Sequence, residues 1–314
     1  MSHRRRKVRK IAFLCGAGAS YGAGRITPHP PPLVRNLYEE LLEEFPESWG
    51  SLPSKDQENL TKNFEAGMEE LWNTKLGVIQ RLMLDLAIFF SKFDPAPDGS
   101  DCYSRLIKVI VEKDLTRRTA FATLNYECIL EIAASRHGLK LTYRSDVVPR
   151  DNLRVWKLHG SCNILPKAEI YNLGFEARKI FRGPIEVVNT TDVRAKYQGG
   201  LAVPPVMGVI APGKPTQTMG EFLDLVRADW RAWAVQAQRI FVIGATPLLS
   251  EEYVWQPILD SEAKVLYIGG HSGDYESLRR SLGGRLRYVA HDFEQGFDLI
   301  VHELAVSGSE PTGR

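Results

Sequence analysis

The sequence predicts an α/β fold: a Rossmann-like parallel sheet with helices on both faces and a helical insertion. Three observations carry this reading. Short, wholly apolar runs recur along the chain, the first being IAFLC at 11–15, and glycine follows it at once. Segments with helical periodicity lie between most of these runs. Hydrophobic residues make up 44% of the 314, enough for a sheet covered on both faces, whose strands read as continuous apolar stretches.

Taken in order, residues 1–10 (MSHRRRKVRK) form an expected basic, flexible tail, and one domain is expected over 11–310. The strand at 11–15 is followed by LVRNLYEELLEEF (33–45), where Leu33, Leu37, Leu41 and Phe45 recur every fourth residue as on one helix face. Two more helices are expected within 54–93, the second reading LGVIQRLMLDLAIFFSKF, and DPAPDGSD (94–101) closes a helical insertion of about 46–100. The apolar surplus of that second helix fits either packing against another subunit or burial in its own domain. Further strands are expected at 118–125, 153–160, 239–246, 264–270 and 285–290. Helices are expected at ECILEIAASRHG, MGEFLDLVRADWRAWAVQAQ, SEEYVWQPILD and DYESLRRSL. A smaller insertion is expected at about 163–203. Strands alternating with helices imply parallel pairing, and ligands of such sheets bind at strand C-termini.

Composition excludes several classes. Forty Lys and Arg against 38 Asp and Glu give a net charge of +2, but six of the basic residues stand in the first ten, so the body is acidic by about four. Nucleic acid therefore has a plausible partner only in the tail. No apolar run approaches the ~18 residues of a membrane span, and the N-terminus lacks the apolar core of a signal peptide. Cys15, Cys102, Cys128 and Cys162 stand apart with no CxxC. This argues against a disulfide framework and against zinc. A cytoplasmic protein with no membrane contact is expected.

The turn after the first strand, CGAGASYGAG, fails as a dinucleotide fingerprint because Tyr21 replaces the third glycine and Glu39 and Glu40 sit within a helix. Its glycines still permit close backbone approach, and exposed amides there can hold a pyrophosphate. A purely structural tight turn is the alternative. GVIAPGKP (208–215) has Walker spacing, yet Pro215 stands where a magnesium-binding hydroxyl is needed and two prolines remove amide donors.

Three further stretches stand at strand ends: TLNYE (123–127), KLHGS (157–161) and FVIGATPLLSEE (241–252). With FLCGAGAS (13–20), their order and spacing resemble the sirtuin-like NAD-consuming fold, and within it the divergent domains of bacterial anti-phage defence effectors. The resemblance runs from about residue 10 to about 305. It implies that Gly16, Ala17, Gly18, Ala19 and Ser20 line the pyrophosphate and ribose, and that Thr123 and Asn125 flank the nicotinamide ribose. His159 would be the base, Gly244 and Thr246 would hold the phosphate or ribose of the adenosine half, and Gly269 would lie near the adenine. This chain departs from the pattern at Glu127, which replaces Asp, and at IGG (268–270), which lacks an asparagine. The arginine-bearing I-P-D-F-R stretch of deacylating sirtuins is replaced by GRITPHPPP (24–32) with Arg25.

Read on their own chemistry, Asn125 and His159 both fall at strand C-termini, on the edge where the glycine loop also lies. A neutral histidine accepts a proton near pH 7, and an asparagine orients a hydroxyl and a water. Glycine at 160 is expected to leave room for a ligand beside the imidazole. Together they suit cleavage of an N-glycosidic bond. The expected activity is hydrolysis of NAD⁺, as substrate, to nicotinamide and ADP-ribose by a regulated antiviral or toxin-like enzyme. Such control implies a homo-oligomer or an activator chain. The alternatives are a protein deacylase or ADP-ribosyltransferase sharing the first step, and a non-catalytic NAD- or ADP-ribose-binding module. His29, His137, His271, His291 and His302 are expected to be structural or exposed.

Overall fold

The structure, a computed structural model, describes residues 9–144, 152–167, 184–197, 203–216, 220–270 and 273–309. The tail expected at 1–10 therefore falls almost wholly outside the described residues, as do large parts of the insertion expected at 163–203.

The strands are β1 (Lys10–Cys15), β2 (Ile26–Thr27), β3 (Asp94–Pro95), β4 (Thr119–Thr123), β5 (Lys140–Thr142), β6 (Asn152–Lys157), β7 (Ile164–Pro166), β8 (Ile185–Val187), β9 (Ala237–Ile243), β10 (Lys264–Ile268) and β11 (Leu286–Ala290). Seven of them form one sheet in the order β11-β10-β9-β1-β4-β6-β5, parallel throughout. The chain leaves β1 toward β4 and later returns to β9 on its other side. This reversal opens a crevice at the C-terminal end of β1, where ligands of such sheets bind.

The alternation of side chains along each strand feeds two cores. On one face Phe13 lies opposite Phe121 and Phe241 in register, with ring centroids 4.7 Å away in both cases. On the other face Ala12, Ala120 and Ala122 are small, and the space they leave takes Trp156, Trp230 and Trp233. Trp156 stands 5.9 Å from Trp233, whose indole N–H donates to the Ile11 carbonyl at 3.1 Å. An indole buried with its N–H satisfied adds apolar area at no polar cost.

The first face is covered by α1 (Ala17–Tyr21), α2 (Val34–Glu44), α3 (Ser54–Lys62), α4 (Phe64–Thr74), α5 (Leu76–Phe90), α6 (Cys102–Glu112), α7 (Ile129–Arg136) and α8 (Thr190–Tyr197). The second face takes α9 (Gly220–Ala234), α10 (Glu252–Leu259) and α11 (Gly273–Leu282), and α12 (Phe293–Ser309) returns to the first.

The insertion holds three helices where the sequence predicted two. The polar stretch SKDQENLTK buries only Asp56 and Leu60, so it carries little periodic signal. Asn63 separates α3 from α4 and caps α4, its side chain accepting the Ala66 amide at 3.1 Å. The apolar surplus of α5 is absorbed inside this chain: Ile79, Leu82, Met83, Leu86, Ala87, Ile88, Phe89 and Phe90 are all buried in the first core. Of the two explanations for that surplus, burial within the domain is the one observed. The four cysteines are buried and free. Among the described residues no helix is long and apolar enough to cross a membrane, and no group of three metal-ligating side chains converges.

Candidate active site

Two glycine turns interlock at the crevice. Gly244, just after β9, has φ of +59°, and a Cβ there would stand 2.0 Å from the Ala19 nitrogen. A Cβ on Gly16 would meet the Gly244 carbonyl oxygen at 2.6 Å. The close approach that these glycines permit is thus first of all between two loops of the protein. The Gly16 and Gly18 amides, expected to face a pyrophosphate, donate instead to the carbonyls of Ile243 and Gly244, both at 2.9 Å. Any ligand contact from this turn must come from its other atoms.

Behind the turn lies a buried polar network built from three chain segments. Asn125 Nδ2 donates to the Gly16 carbonyl at 3.1 Å, to Ser20 Oγ at 2.9 Å and to Glu127 Oε1 at 2.9 Å. Ser20 Oγ donates to the same carboxylate oxygen at 2.6 Å and also meets Tyr103 OH at 3.0 Å. Glu127 Oε2 accepts the Ile129 amide at 2.7 Å, at the start of α7. Carboxylate and carbonyl neighbours fix which end of the Asn125 amide faces inward. Among the described residues its carbonyl Oδ1 has no hydrogen-bond partner and remains for a ligand.

Beneath this network Lys157, at the end of β6, donates to the Glu127 carbonyl at 2.6 Å and pairs with Glu131 at 2.9 Å. Burial, the largest single influence, would lower the Lys157 pKa, but the surrounding acidic groups, Glu131 foremost with Cys128 and Glu127, together outweigh it and hold the ammonium charged. Burial raises the Glu131 carboxyl, with Lys157 opposing.

His159 follows in the same strand-end turn. Its ring packs between Tyr126, 6.5 Å away, and Tyr253, 5.9 Å away. Gly160 does not leave ligand space beside it, contrary to expectation. With φ of +87° it admits the backbone of the buried 203–211 segment, and a Cβ would stand 1.9 Å from the Val206 carbonyl oxygen. Burial pushes the imidazole pKa below its ordinary value; the Glu251 carboxylate opposes this, while Lys214 and Arg227 add to it. The ring is therefore neutral at pH 7.

One cavity of about 1000 Å³ joins these groups. Gly16, Ala17, Gly18, Ser20, Asn125, His159, Gly244, Thr246 and Gly269 all line it. Ala19 and Thr123 do not. Ala19 is buried against the Gly244 turn, and Thr123 uses its hydroxyl to accept the backbone N–H of Asn125 at 3.1 Å. Arg25 is turned away toward Asp98 at 3.0 Å.

The cavity also brings in residues to which the sequence assigned no role in the site: Glu127, noted only as a replacement for Asp, His291, expected to be structural or exposed, Glu251, Asp292, and the Lys214–Glu65 pair at 2.8 Å. Glu127 carried a signal, since it ends the TLNYE stretch. Glu251 and Lys214 stand inside the stretches FVIGATPLLSEE and GVIAPGKP without being singled out there, while Asp292 and Glu65 come from a strand-end loop and from α4, where nothing local marks them.

No protein-family model and no curated protein sequence matches the chain. Solved structures do resemble it along nearly its whole length. A mutant Sir2 homologue in complex with ADP-ribose is 15% identical with a TM-score of 0.46, covering 96% of this chain and 92% of that one. A Sir2 bound to an inhibitor, 2′-O-acetyl-ADP-ribose and a deacetylated peptide is 12% identical with a TM-score of 0.46, covering 95% of each. A third sirtuin structure is 13% identical with a TM-score of 0.45, covering 96% of each. Identities this low leave the chemistry to be read from this chain's own side chains.

Proposed function

We propose that this chain hydrolyses NAD⁺ to nicotinamide and ADP-ribose. The observation that carries the reading is the convergence of His159, Asn125 and the two glycine turns on one cavity of about 1000 Å³ at the reversal point of the sheet. Such a volume suits a dinucleotide. The glycine turns lie at its middle, where a pyrophosphate fits. The Asn125 and His159 end takes the nicotinamide riboside, and the Gly269 and His291 end takes the adenosine.

Chemistry follows from what each side chain can hold. Asn125, anchored through Nδ2, presents Oδ1 to a ribose hydroxyl or to water. His159, neutral at pH 7, accepts a proton. The bond between C1′ and the nicotinamide nitrogen breaks with its electron pair going to the ring, which leaves neutral. The ribose passes through an oxocarbenium-like state. Water oxygen bonds to C1′, and its proton passes to His159 and on to solvent. Atoms and charge balance without a redox step. The resemblance in motifs extends this to a regulated, defence-type hydrolase.

Incubation of purified protein with NAD⁺, followed by chromatography, is expected to give equal nicotinamide and ADP-ribose. Nicotinamide released only when an acyl-lysine peptide or a protein acceptor is supplied would replace hydrolysis with transfer. Intact NAD⁺ would leave a binding module. Since burial lowers the His159 pKa, the acid limb of kcat/KM is expected to have its midpoint below the ordinary 6.5, with activity lost as pH falls and His159 becomes charged. A limb centred well above that value would exclude His159 as the base.

A further inference from the structure

The proposed hydrolysis leaves one buried acid without a role. Glu251 stands immediately before α10, is 9% exposed, and lines the cavity. Its Oε1 lies 3.5 Å from His159 Nε2 and accepts Tyr253 OH at 3.4 Å. It lies in the FVIGATPLLSEE stretch, where no role was read for it, and the turn after β9 brings it there.

The two ring nitrogens of His159 face different surroundings. Nε2 is buried and has no hydrogen bond of good geometry, and the Glu251 carboxylate is its nearby acceptor. Nδ1 has no hydrogen-bond partner among the described residues. The other charged and titratable groups around the ring are Lys214, paired with Glu65 at 2.8 Å, and Arg227. The Arg227 guanidinium lies 3.9 Å over the Tyr253 ring, and its Nε donates to the Leu158 carbonyl at 3.1 Å. Tyr126 closes the other side, its hydroxyl donating to the Gly208 carbonyl at 2.8 Å. Both neighbouring cations oppose a charge on the imidazole. Glu251 is the anion that faces it.

A carboxylate in that position does two things. It decides which nitrogen carries the hydrogen, and it stabilises the imidazolium that forms when the other nitrogen takes a proton. A contact of 3.5 Å is long for a hydrogen bond, and such contacts tighten when substrate fills the site.

We propose that Glu251 is the positioning residue for His159, holding the ring through Nε2–H so that Nδ1 receives the proton released by the attacking water. This rests on the hydrolase reading. Glu251 touches neither water nor ribose, and it acts through the imidazole.

The test is an NMR titration of the His159 ring in the unliganded full chain, read beside NAD⁺ turnover. In wild type the neutral ring is expected as the Nε2–H tautomer. Glu251→Gln keeps the side-chain volume and the Tyr253 contact but removes the charge. It is expected to move the His159 midpoint to lower pH, to mix the tautomers and to lower kcat by on the order of 10-fold or more, with KM changed little. Glu251→Asp, which keeps the charge on a shorter arm, is expected to fall between the two and serves alone if the Gln variant does not fold. An unchanged midpoint and tautomer in the folded variants would overturn the proposal, whatever the turnover. A wild-type chain that leaves NAD⁺ intact while the titration still responds to Glu251 would overturn the hydrolase reading and, with it, the catalytic purpose assigned to Glu251.

Discussion

His159→Ala is expected to lower NAD⁺ cleavage by at least ~100-fold, about 2.7 kcal/mol of transition-state stabilisation. Asn125→Ala should do the same. The two losses differ in kind. His159 makes no close hydrogen bond in the protein but is buried between Tyr126 and Tyr253, so its removal should lower the melting temperature through lost packing alone and leave KM within a few-fold. Asn125 donates to Gly16, Ser20 and Glu127, so alanine there withdraws a donor from buried acceptors and should also cost about 1–3 kcal/mol of stability. Asn125 and His159 both lie on the floor of the cavity, 8% and 4% exposed. Asn125→Asp should be worse than alanine for folding, because it sets a second carboxylate against Glu127. Single-turnover release of nicotinamide and thermal unfolding measured on the same samples separate the two effects. Turnover within a few-fold of wild type in His159→Ala would remove the base from the mechanism.

The sheet was legible because parallel strands, covered on both faces, must be apolar at successive positions; IAFLC and RIFVIGAT announce themselves. β5 was not. Its residues, Lys140, Leu141 and Thr142, are exposed or half-buried at the sheet edge and carry no apolar run. The site divides along the same line. Strand-end residues such as Asn125, His159 and Gly244 are fixed by their neighbours in sequence, so short motifs find them. Glu251 and Lys214 stand inside the stretches FVIGATPLLSEE and GVIAPGKP but owe their places to the route of a loop, and Glu65 owes its place to the docking of α4. Their partners stand 92, 149 and 149 residues away along the chain. The glycine turn does more than its motif announces. It was read as a phosphate cradle, and glycine there also lets one loop lie against another.

Lys157→Met is expected to destabilise the fold by ~3–5 kcal/mol, because it leaves the Glu131 carboxylate buried and uncompensated. Lys157 is 1% exposed, and its ammonium reaches both Glu131 and the Glu127 carbonyl. It therefore ties β6 to the segment that carries Asn125 and Glu127. Glu131 already has its pKa raised by burial, with Lys157 as the opposing influence. Without the ammonium the carboxyl must take up a proton to stay buried. A group with a raised folded pKa contributes stability below its unfolded pKa and loses it as pH rises, so the variant should weaken further between weakly acidic and neutral pH. Wild type should follow that slope only weakly, because Lys157 opposes the rise in the Glu131 pKa. The double variant Lys157→Met with Glu131→Leu removes both charges and should recover much of the loss. The Glu127 carbonyl would still lack its donor, so full activity is not expected to return. Urea unfolding at two pH values measures all of these quantities. A single variant within about 1 kcal/mol of wild type at neutral pH would mean that the pair does not hold the site floor together.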